Sequence, residues 1–205
     1  MASTNQLQDV ANVLRRDVAI MTNHSGSGHP TSCFSCAEIM SVLFFQEMRY
    51  DIHNPNNQDN DEFILSKGHA APILYSALYR ARAIKTNLNH LRELHSSLQG
   101  HPIPNSFSWV KVATGSLGQG LGVGIGMAIA ARKKDKKYKT YVLLGDSELS
   151  EGSVWEAFQI ASYYNLSNLC AIIDVNRLGQ RGETMLGHNV KSYKKRIKSF
   201  GWNTI

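Results

Sequence analysis

Two short apolar runs separated by a helical pattern constrain this chain more tightly than any other feature. Residues 140–144 read Thr-Tyr-Val-Leu-Leu and run straight into Gly145-Asp146. Residues 169–173 read Leu-Cys-Ala-Ile-Ile and stop just short of Asn176. Short apolar runs rich in β-branched residues and bounded by polar ones predict buried strands, and residues 152–164 between them predict a helix. Strand, helix and strand make a βαβ unit, whose right-handed crossover leaves both strands parallel in one sheet. Asp146 and Asn176 then stand at the same carboxyl edge, where open α/β sheets bind ligands. A carboxylate and an amide oxygen converging there suit a hard cation, which prefers oxygen donors and keeps room for phosphate oxygens.

The rest of the chain extends this pattern. Leu7, Val10, Leu14, Val18 and Met21 recur at helical spacing and predict an amphipathic first helix. Residues 38–46 predict a second, almost wholly apolar helix, residues 63–66 a strand, and residues 72–82 and 88–98 two more helices. The helix predicted over 118–132 carries Gly120, Gly122, Gly124 and Gly126. Each glycine costs ~1 kcal/mol inside a helix, so four of them are expected only where something packs close to the backbone. A loop over 178–187, a helix over 190–199 and the opening of another strand at 201–205 complete the reading.

At 205 residues, 42% hydrophobic and 19% charged, the chain suits one globular domain and not a disordered segment. No apolar run approaches the ~20 residues of a membrane span. The first residues, Met1 to Gln6, lack the basic-then-apolar order of a secretory signal. The expectation is a cytoplasmic protein with no membrane partner. Much of the net charge of +6 sits in Arg132-Lys133-Lys134-Asp135-Lys136-Lys137-Tyr138-Lys139. That run joins a helix to a strand without interleaved aromatics, so it reads as a solvated turn and no nucleic-acid partner is expected. Cys33, Cys36 and Cys170 are too few, and odd in number, for a disulfide framework. The Cys33–Cys36 spacing is that of a redox pair or half a zinc site, but no second pair follows. Both read as small buried residues at a helix start, and Cys170 as part of an apolar strand.

Gly145-Asp146-Ser147, residues 148–174 and then Val175-Asn176 resemble the thiamine diphosphate fingerprint, Gly-Asp-Gly followed at this distance by Asn-Asn. Ser147 stands for the second glycine and Val175 for the first asparagine. Five further segments are similar to transketolases, in transketolase order: Ser27-Gly28-His29-Pro30-Thr31-Ser32, Leu65-Ser66-Lys67-Gly68-His69-Ala70, Gly100-His101-Pro102, Gly115-Ser116-Leu117-Gly118-Gln119-Gly120 and Glu148-Leu149-Ser150-Glu151-Gly152. The resemblance covers nearly the whole chain. Neither composition nor periodicity carries the family name; these segments do.

The resemblance implies a site. Asp146, Asn176 and the backbone carbonyl of Leu178 would hold Mg²⁺, or another divalent cation, with two diphosphate oxygens and a water. Gly115, Ser116 and Leu117 would lie against thiamine diphosphate. By itself, a glycine-rich turn into a helix N-terminus is only a generic phosphate cradle. Ser147 would keep the backbone N–H that faces the diphosphate; its Cβ is tolerated at negative φ and costs roughly 1 kcal/mol or more at positive φ. His69 would touch the diphosphate. His29 and His101 would orient the ketose and trade protons with its hydroxyls, a task suited to groups titrating near neutral pH. Each of these three follows a glycine and leads out of a segment predicted to end at the sheet edge, a context that His24, His53, His90, His95 and His188 lack, and the spacings fit no zinc pattern. Glu151 shares a helix with Glu156; the pair is either a solvated face or part of a carboxylate network that links cofactors across a dimer.

The expected fold is therefore α/β, a doubly wound parallel sheet flanked by helices, forming one diphosphate- and metal-binding domain over residues 1–205. Met1 suits a natural start and Ile205 does not suit a natural end, so the domain is expected to be incomplete at its C-terminus. The implied activity is ketol transfer from a ketose phosphate to an aldose phosphate in the pentose phosphate pathway, by a homodimer. The glutamate that activates the aminopyrimidine belongs, by resemblance, to a pyrimidine-binding domain in a missing C-terminal part or a second chain. The segment alone is expected to be inactive, with partner-facing surface at residues 40–45 and on the glycine-faced helix. A non-catalytic cofactor-binding subunit is the alternative. A Rossmann dehydrogenase would require a glycine fingerprint directly after the first strand, for which Gly145-Asp146-Ser147 is a poor substitute.

Overall fold

The computed structural model describes residues 2–205; Met1 lies outside them. The chain falls into two compact units. One comprises the chain up to Asp61 together with Gly68–Gly115; the other comprises Glu62–Lys67 and Ser116–Ile205.

The first unit is helical. α1 (Thr4–Ser25) opens on a capping box in which Ser3 Oγ accepts from the Gln6 N–H and Gln6 Oε1 accepts from the Ser3 N–H. Two otherwise unpaired donors of the first turn are thereby satisfied. The buried stripe of α1 contains the predicted Leu14, Val18 and Met21, joined by Ala11, Asp17 and Thr22. α2 (Pro30–Ser35), α3 (Ala37–Val42) and a π-helical turn, Leu43–Glu47, replace the single helix expected over 38–46. Met40, Leu43 and Phe44 are core residues, while Val42 between them is exposed. Cys33 and Cys36 are buried at these helix starts. α4 (Ala71–Arg80) supplies Ser76 and Arg80, which both donate to the buried Asp17 carboxylate. That pairing offsets the cost of placing a carboxylate in the core. The helix expected over 88–98 is absent. Only the 3₁₀ turn Leu88–His90 forms, because Arg92 and His95 adopt φ of 61° and 65°, a left-handed backbone that ends a helix.

The second unit holds β1 (Glu62–Leu65), α5 (Gly120–Lys133), β2 (Thr140–Gly145), α6 (Gly152–Tyr163) and β3 (Leu169–Asp174). The three strands are parallel in the order β1-β2-β3, and α6 joins β2 to β3 as the predicted βαβ unit. β2, the central strand, is buried along its whole length. α5 packs on all three strands. Two of its four glycines permit close approach: a Cβ on Gly120 would lie 2.3 Å from Ser66 Oγ, and one on Gly124 would lie 2.6 Å from Val142 Cγ2. Gly122 and Gly126 instead face open space. β3 pairs only with β2 among the described residues, and Cys170, expected inside an apolar strand, is exposed there. The loop expected over 178–187 contains a small antiparallel hairpin, β4 (Leu178–Gly179) with β5 (Gly182–Glu183). α7 (Val190–Ser199) follows as predicted. Residues 201–205 form no strand. Trp202 docks on α6, where its indole N–H donates to the Phe158 carbonyl at 2.8 Å. The architecture is the α/β parallel sheet flanked by helices that the sequence predicts. Among the described residues no helix is long and apolar enough to cross a membrane.

Candidate functional site

Asp146 is the first residue beyond β2. Gly145 pairs with Asp174, so β2 and β3 end level with each other. The Asp146 side chain is 3% exposed, and its hydrogen-bond partners are all neutral. Oδ1 accepts from the Ser147 N–H (3.0 Å), and Oδ2 accepts from the Arg177 N–H (2.8 Å) and the Thr184 hydroxyl (2.9 Å). No lysine, arginine or histidine among the described residues forms an ion pair with it. Arg177 reaches Asp146 from a left-handed backbone, φ 61°, which turns the segment after β3 back over the end of β2. Asn176 directly precedes it, and Asn176 Oδ1 accepts the Leu178 N–H at 3.0 Å. Leu178 itself is exposed. The βαβ unit thus carries Asp146 and Asn176 at one sheet edge, as the strand pattern predicts, with Leu178 two residues beyond Asn176. Ser147 lies in the 3₁₀ turn Ser147–Ser150 and is not among the residues with positive φ, so its Cβ brings no left-handed strain.

Ser116 and Leu117 lead through Gly118 to the N-terminus of α5. Gly118 has φ 85°, and a Cβ there would lie 2.6 Å from Glu151 Cβ. Its N–H donates to Glu148 Oε1 (2.8 Å) and its carbonyl accepts from the Ser153 hydroxyl (3.0 Å). Glu151 and Glu156 are both exposed on this side of the unit's sequence. Glu148 and Lys67, which the motif segments contain without a role of their own, are fully buried. Lys67 Nζ pairs with Asp174 at 2.5 Å. Burial pushes the Glu148 carboxyl up from its ordinary value, opposed by hydrogen bonds from Ser66, Gly118 and Gly145 and by the charge of Lys67. A lysine directly after a strand, in a segment otherwise apolar and small, was the signal available for Lys67. Thr184 carries no local signal at all, since its role depends on a loop returning to Asp146.

The buried ammonium of Lys67 is thus taken by Asp174, and the buried Asp146 carboxylate is left with neutral partners alone. A divalent cation at Asp146 would answer that charge with the oxygen donors it prefers. The residues present fit the metal that the resemblance implies.

The first unit gathers the three singled-out histidines. His29 and His69 meet edge to face, with ring centroids 5.3 Å apart. Ser32 Oγ lies 2.8 Å from His69 Nε2, a partner the sequence reading did not name. Each histidine follows a glycine that space demands. A Cβ on Gly28 would lie 2.7 Å from Thr22 Cγ2, one on Gly68 2.6 Å from the Gly115 nitrogen, and one on Gly100 2.6 Å from the Arg92 guanidinium. Gly115, φ 135°, leaves room for the His101 ring, which a Cβ would approach to 2.6 Å. Arg92 Nη1 also donates to Ser27 Oγ at 2.9 Å, tying the segments before His29 and His101 together. Desolvation lowers the His101 pKa, and the charges of Arg92 and His29 add to the effect. A neutral imidazole, able to accept a proton, results. Among the described residues no group of three or more His, Cys, Asp or Glu side chains is placed to hold a metal ion.

Residues 6–205 match the family model described as transketolase, thiamine diphosphate binding domain. Human transketolase is 54% identical over 201 residues, covering 97% of this chain and 32% of its own length. Mouse transketolase-like protein 2 is 56% identical over 200 residues, with 97% and 32% coverage. The crystal structure of Campylobacter jejuni transketolase aligns with a TM-score of 0.90 at 34% identity, covering 98% of this chain and 33% of that one. A Pichia stipitis transketolase solved in complex with sedoheptulose 7-phosphate gives a TM-score of 0.79 at 32% identity, with 96% and 31% coverage. The chain spans about a third of the length of these relatives. Sequence, fold and the sheet-edge motif agree, and the chain belongs to the transketolase family, matching its thiamine diphosphate-binding domain.

Proposed function

We propose that this chain supplies the diphosphate- and metal-binding part of a cytoplasmic, homodimeric transketolase. The reaction is transfer of a two-carbon ketol unit from a ketose phosphate to an aldose phosphate in the pentose phosphate pathway. The observation that carries the reading is Asp146: a buried carboxylate with only neutral partners, at the carboxyl end of β2 and beside the Asn176 loop. Sugar phosphates as substrates are supported by the family and by the Pichia stipitis relative solved with sedoheptulose 7-phosphate.

In this reading Asp146, Asn176 and the Leu178 carbonyl hold Mg²⁺ or a similar dication. Gly115, Ser116, Leu117, the Ser147 backbone and His69 bind thiamine diphosphate. The cofactor, when bound, supplies the nucleophile and the electron sink that cleavage of a ketose carbon–carbon bond needs. The chain's own residues bind, orient and move protons. His101, its pKa lowered, is suited to accept a proton from a ketose hydroxyl at neutral pH. His29 orients the same substrate. Glu151 takes part in a carboxylate network that links cofactors across the dimer.

Ketol transfer requires more than this segment, because the relatives are three times as long; residues 1–205 alone are expected to be inactive. A non-catalytic cofactor-binding subunit acting with a separate chain is the second reading. Calorimetric titration with thiamine diphosphate, with and without Mg²⁺, on wild type and Asp146→Ala tests the shared core of both readings. Ketol transfer after adding the C-terminal part in trans separates them from an inactive homologue.

A further inference from the structure

Glu148 is the second residue after Asp146, yet its side chain turns inward. Its carboxylate is fully buried and collects donors from three separate segments of the second unit. Oε1 accepts from the Ser66 hydroxyl (2.5 Å), just past β1, and from the Gly118 N–H (2.8 Å), just before α5. Oε2 accepts from the Gly145 N–H (3.2 Å), the last residue of β2. Gly118 and Gly145 adjoin the groups on which the reading above depends. Gly145 directly precedes the metal carboxylate, and Gly118 directly follows Ser116-Leu117. A fully buried carboxylate is costly to place, and here the three donors answer it without a direct ion pair. A hydrophobic residue of the same volume would fill the space as well but could not fix three backbone and hydroxyl donors in register.

We propose that Glu148 is a positioning residue for the diphosphate and metal: it pins the Gly118 and Gly145 peptides to the end of β1 and so sets where Ser116-Leu117 and Asp146 present their groups. This rests on the proposed binding of Mg²⁺ and diphosphate at Asp146. Glutamate suits the task because both of its oxygens are acceptors. In Glu148→Gln one of the three donors would meet an amide NH₂, a donor facing a donor, while volume stays constant. In Ser66→Ala one hydroxyl donor is lost and the carboxylate stays.

The test is binding of Mg²⁺-thiamine diphosphate, and of Mg²⁺ with inorganic diphosphate, by calorimetry on this chain assembled with the C-terminal part its relatives carry. Wild type, Glu148→Gln, Ser66→Ala and Asp146→Ala are compared, with amide hydrogen exchange at Gly118 and Gly145 and the unfolding midpoint of each unliganded protein. The expected result is binding weakened tenfold or more in Glu148→Gln and about threefold in Ser66→Ala, the scale of lost supporting hydrogen bonds around a metal site. Exchange at Gly118 and Gly145 should accelerate in Glu148→Gln before the midpoint accounts for it. Should Glu148→Gln fail to fold, the Ser66→Ala result decides. Unchanged binding in Glu148→Gln and Ser66→Ala, with binding lost in Asp146→Ala, would overturn this role and leave the functional reading standing. Absence of any Mg²⁺-dependent binding by wild type would overturn both.

Discussion

The Thr184 hydroxyl donates to Asp146 Oδ2 at 2.9 Å across 38 positions of sequence. This bond, with the Arg177 N–H on the same oxygen, holds the carboxylate in one orientation before any ligand arrives. Partners that orient a metal ligand matter to affinity nearly as much as the ligand itself, on the order of tenfold or more when removed. Thr184→Val keeps shape and loses the hydroxyl. It should weaken Mg²⁺ affinity, measured in the presence of thiamine diphosphate, by about tenfold while leaving the fold intact by circular dichroism.

The His101 ring should titrate below the ordinary histidine value of 6.5. Desolvation is the first cause, and Arg92 is the second. Arg92→Gln should therefore move the pKa upward, measured by NMR of the ring protons. The stability linkage has a definite sign. A proton binds His101 less readily in the folded state than in the unfolded one, so this group's contribution is complete above pH 6.5 and declines as pH falls below it. An Arg92→Gln titration curve coincident with wild type contradicts the account.

His101→Ala should affect turnover more than cofactor binding. In an enzyme assembled from this chain and the C-terminal part its relatives carry, kcat/KM for a ketose phosphate should fall by about 10²-fold, the scale of a lost acid–base group. Affinity for Mg²⁺-thiamine diphosphate should stay within a few-fold of wild type. Collapse of cofactor affinity with normal turnover per bound cofactor contradicts the assignment.

Much of this site was legible in the sequence, for local reasons. The runs at 140–144 and 169–173 are continuous and flank a helical pattern, so two parallel strands follow from the βαβ order; β2 is buried throughout and β3 only in part. Gly28, Gly68 and Gly100, the glycines before His29, His69 and His101, all prove crowded, whereas Gly187 before His188 meets open space. What failed depended on distant partners or on single backbone angles. The helix over 88–98 has adequate periodicity but breaks at Arg92 and His95, whose left-handed φ no pattern of hydrophobicity encodes. Glu148 carried no role of its own in the sequence, because its donors come from Ser66, Gly118 and Gly145. Cys170 sits in an apolar run, yet the open side of β3 exposes it.

Arg15 on α1 grips Glu38 on α3 and holds its carboxyl at about 2, well below the usual carboxylate range. A depressed folded-state value stabilises above the unfolded value near 4.5, and that contribution is lost as pH falls toward 2. Both side chains are partly exposed, so solvent screening keeps the effect small. Arg15→Met should flatten the acid limb of the stability curve between pH 4.5 and 2, measured by urea unfolding at a series of pH values. An unchanged acid limb contradicts the tie.

The most direct measurement is the Mg²⁺ dependence of thiamine diphosphate binding in wild type and Asp146→Ala. Asp146 is a buried anion whose partners among the described residues are all neutral, and it shares the sheet edge with Asn176. Cation and diphosphate should therefore bind as one unit. Calorimetry on wild type should show thiamine diphosphate binding that strengthens markedly with Mg²⁺, and Asp146→Ala should lose that metal-dependent part while remaining folded. Binding by Asp146→Ala that still responds to Mg²⁺ as wild type does would contradict the site.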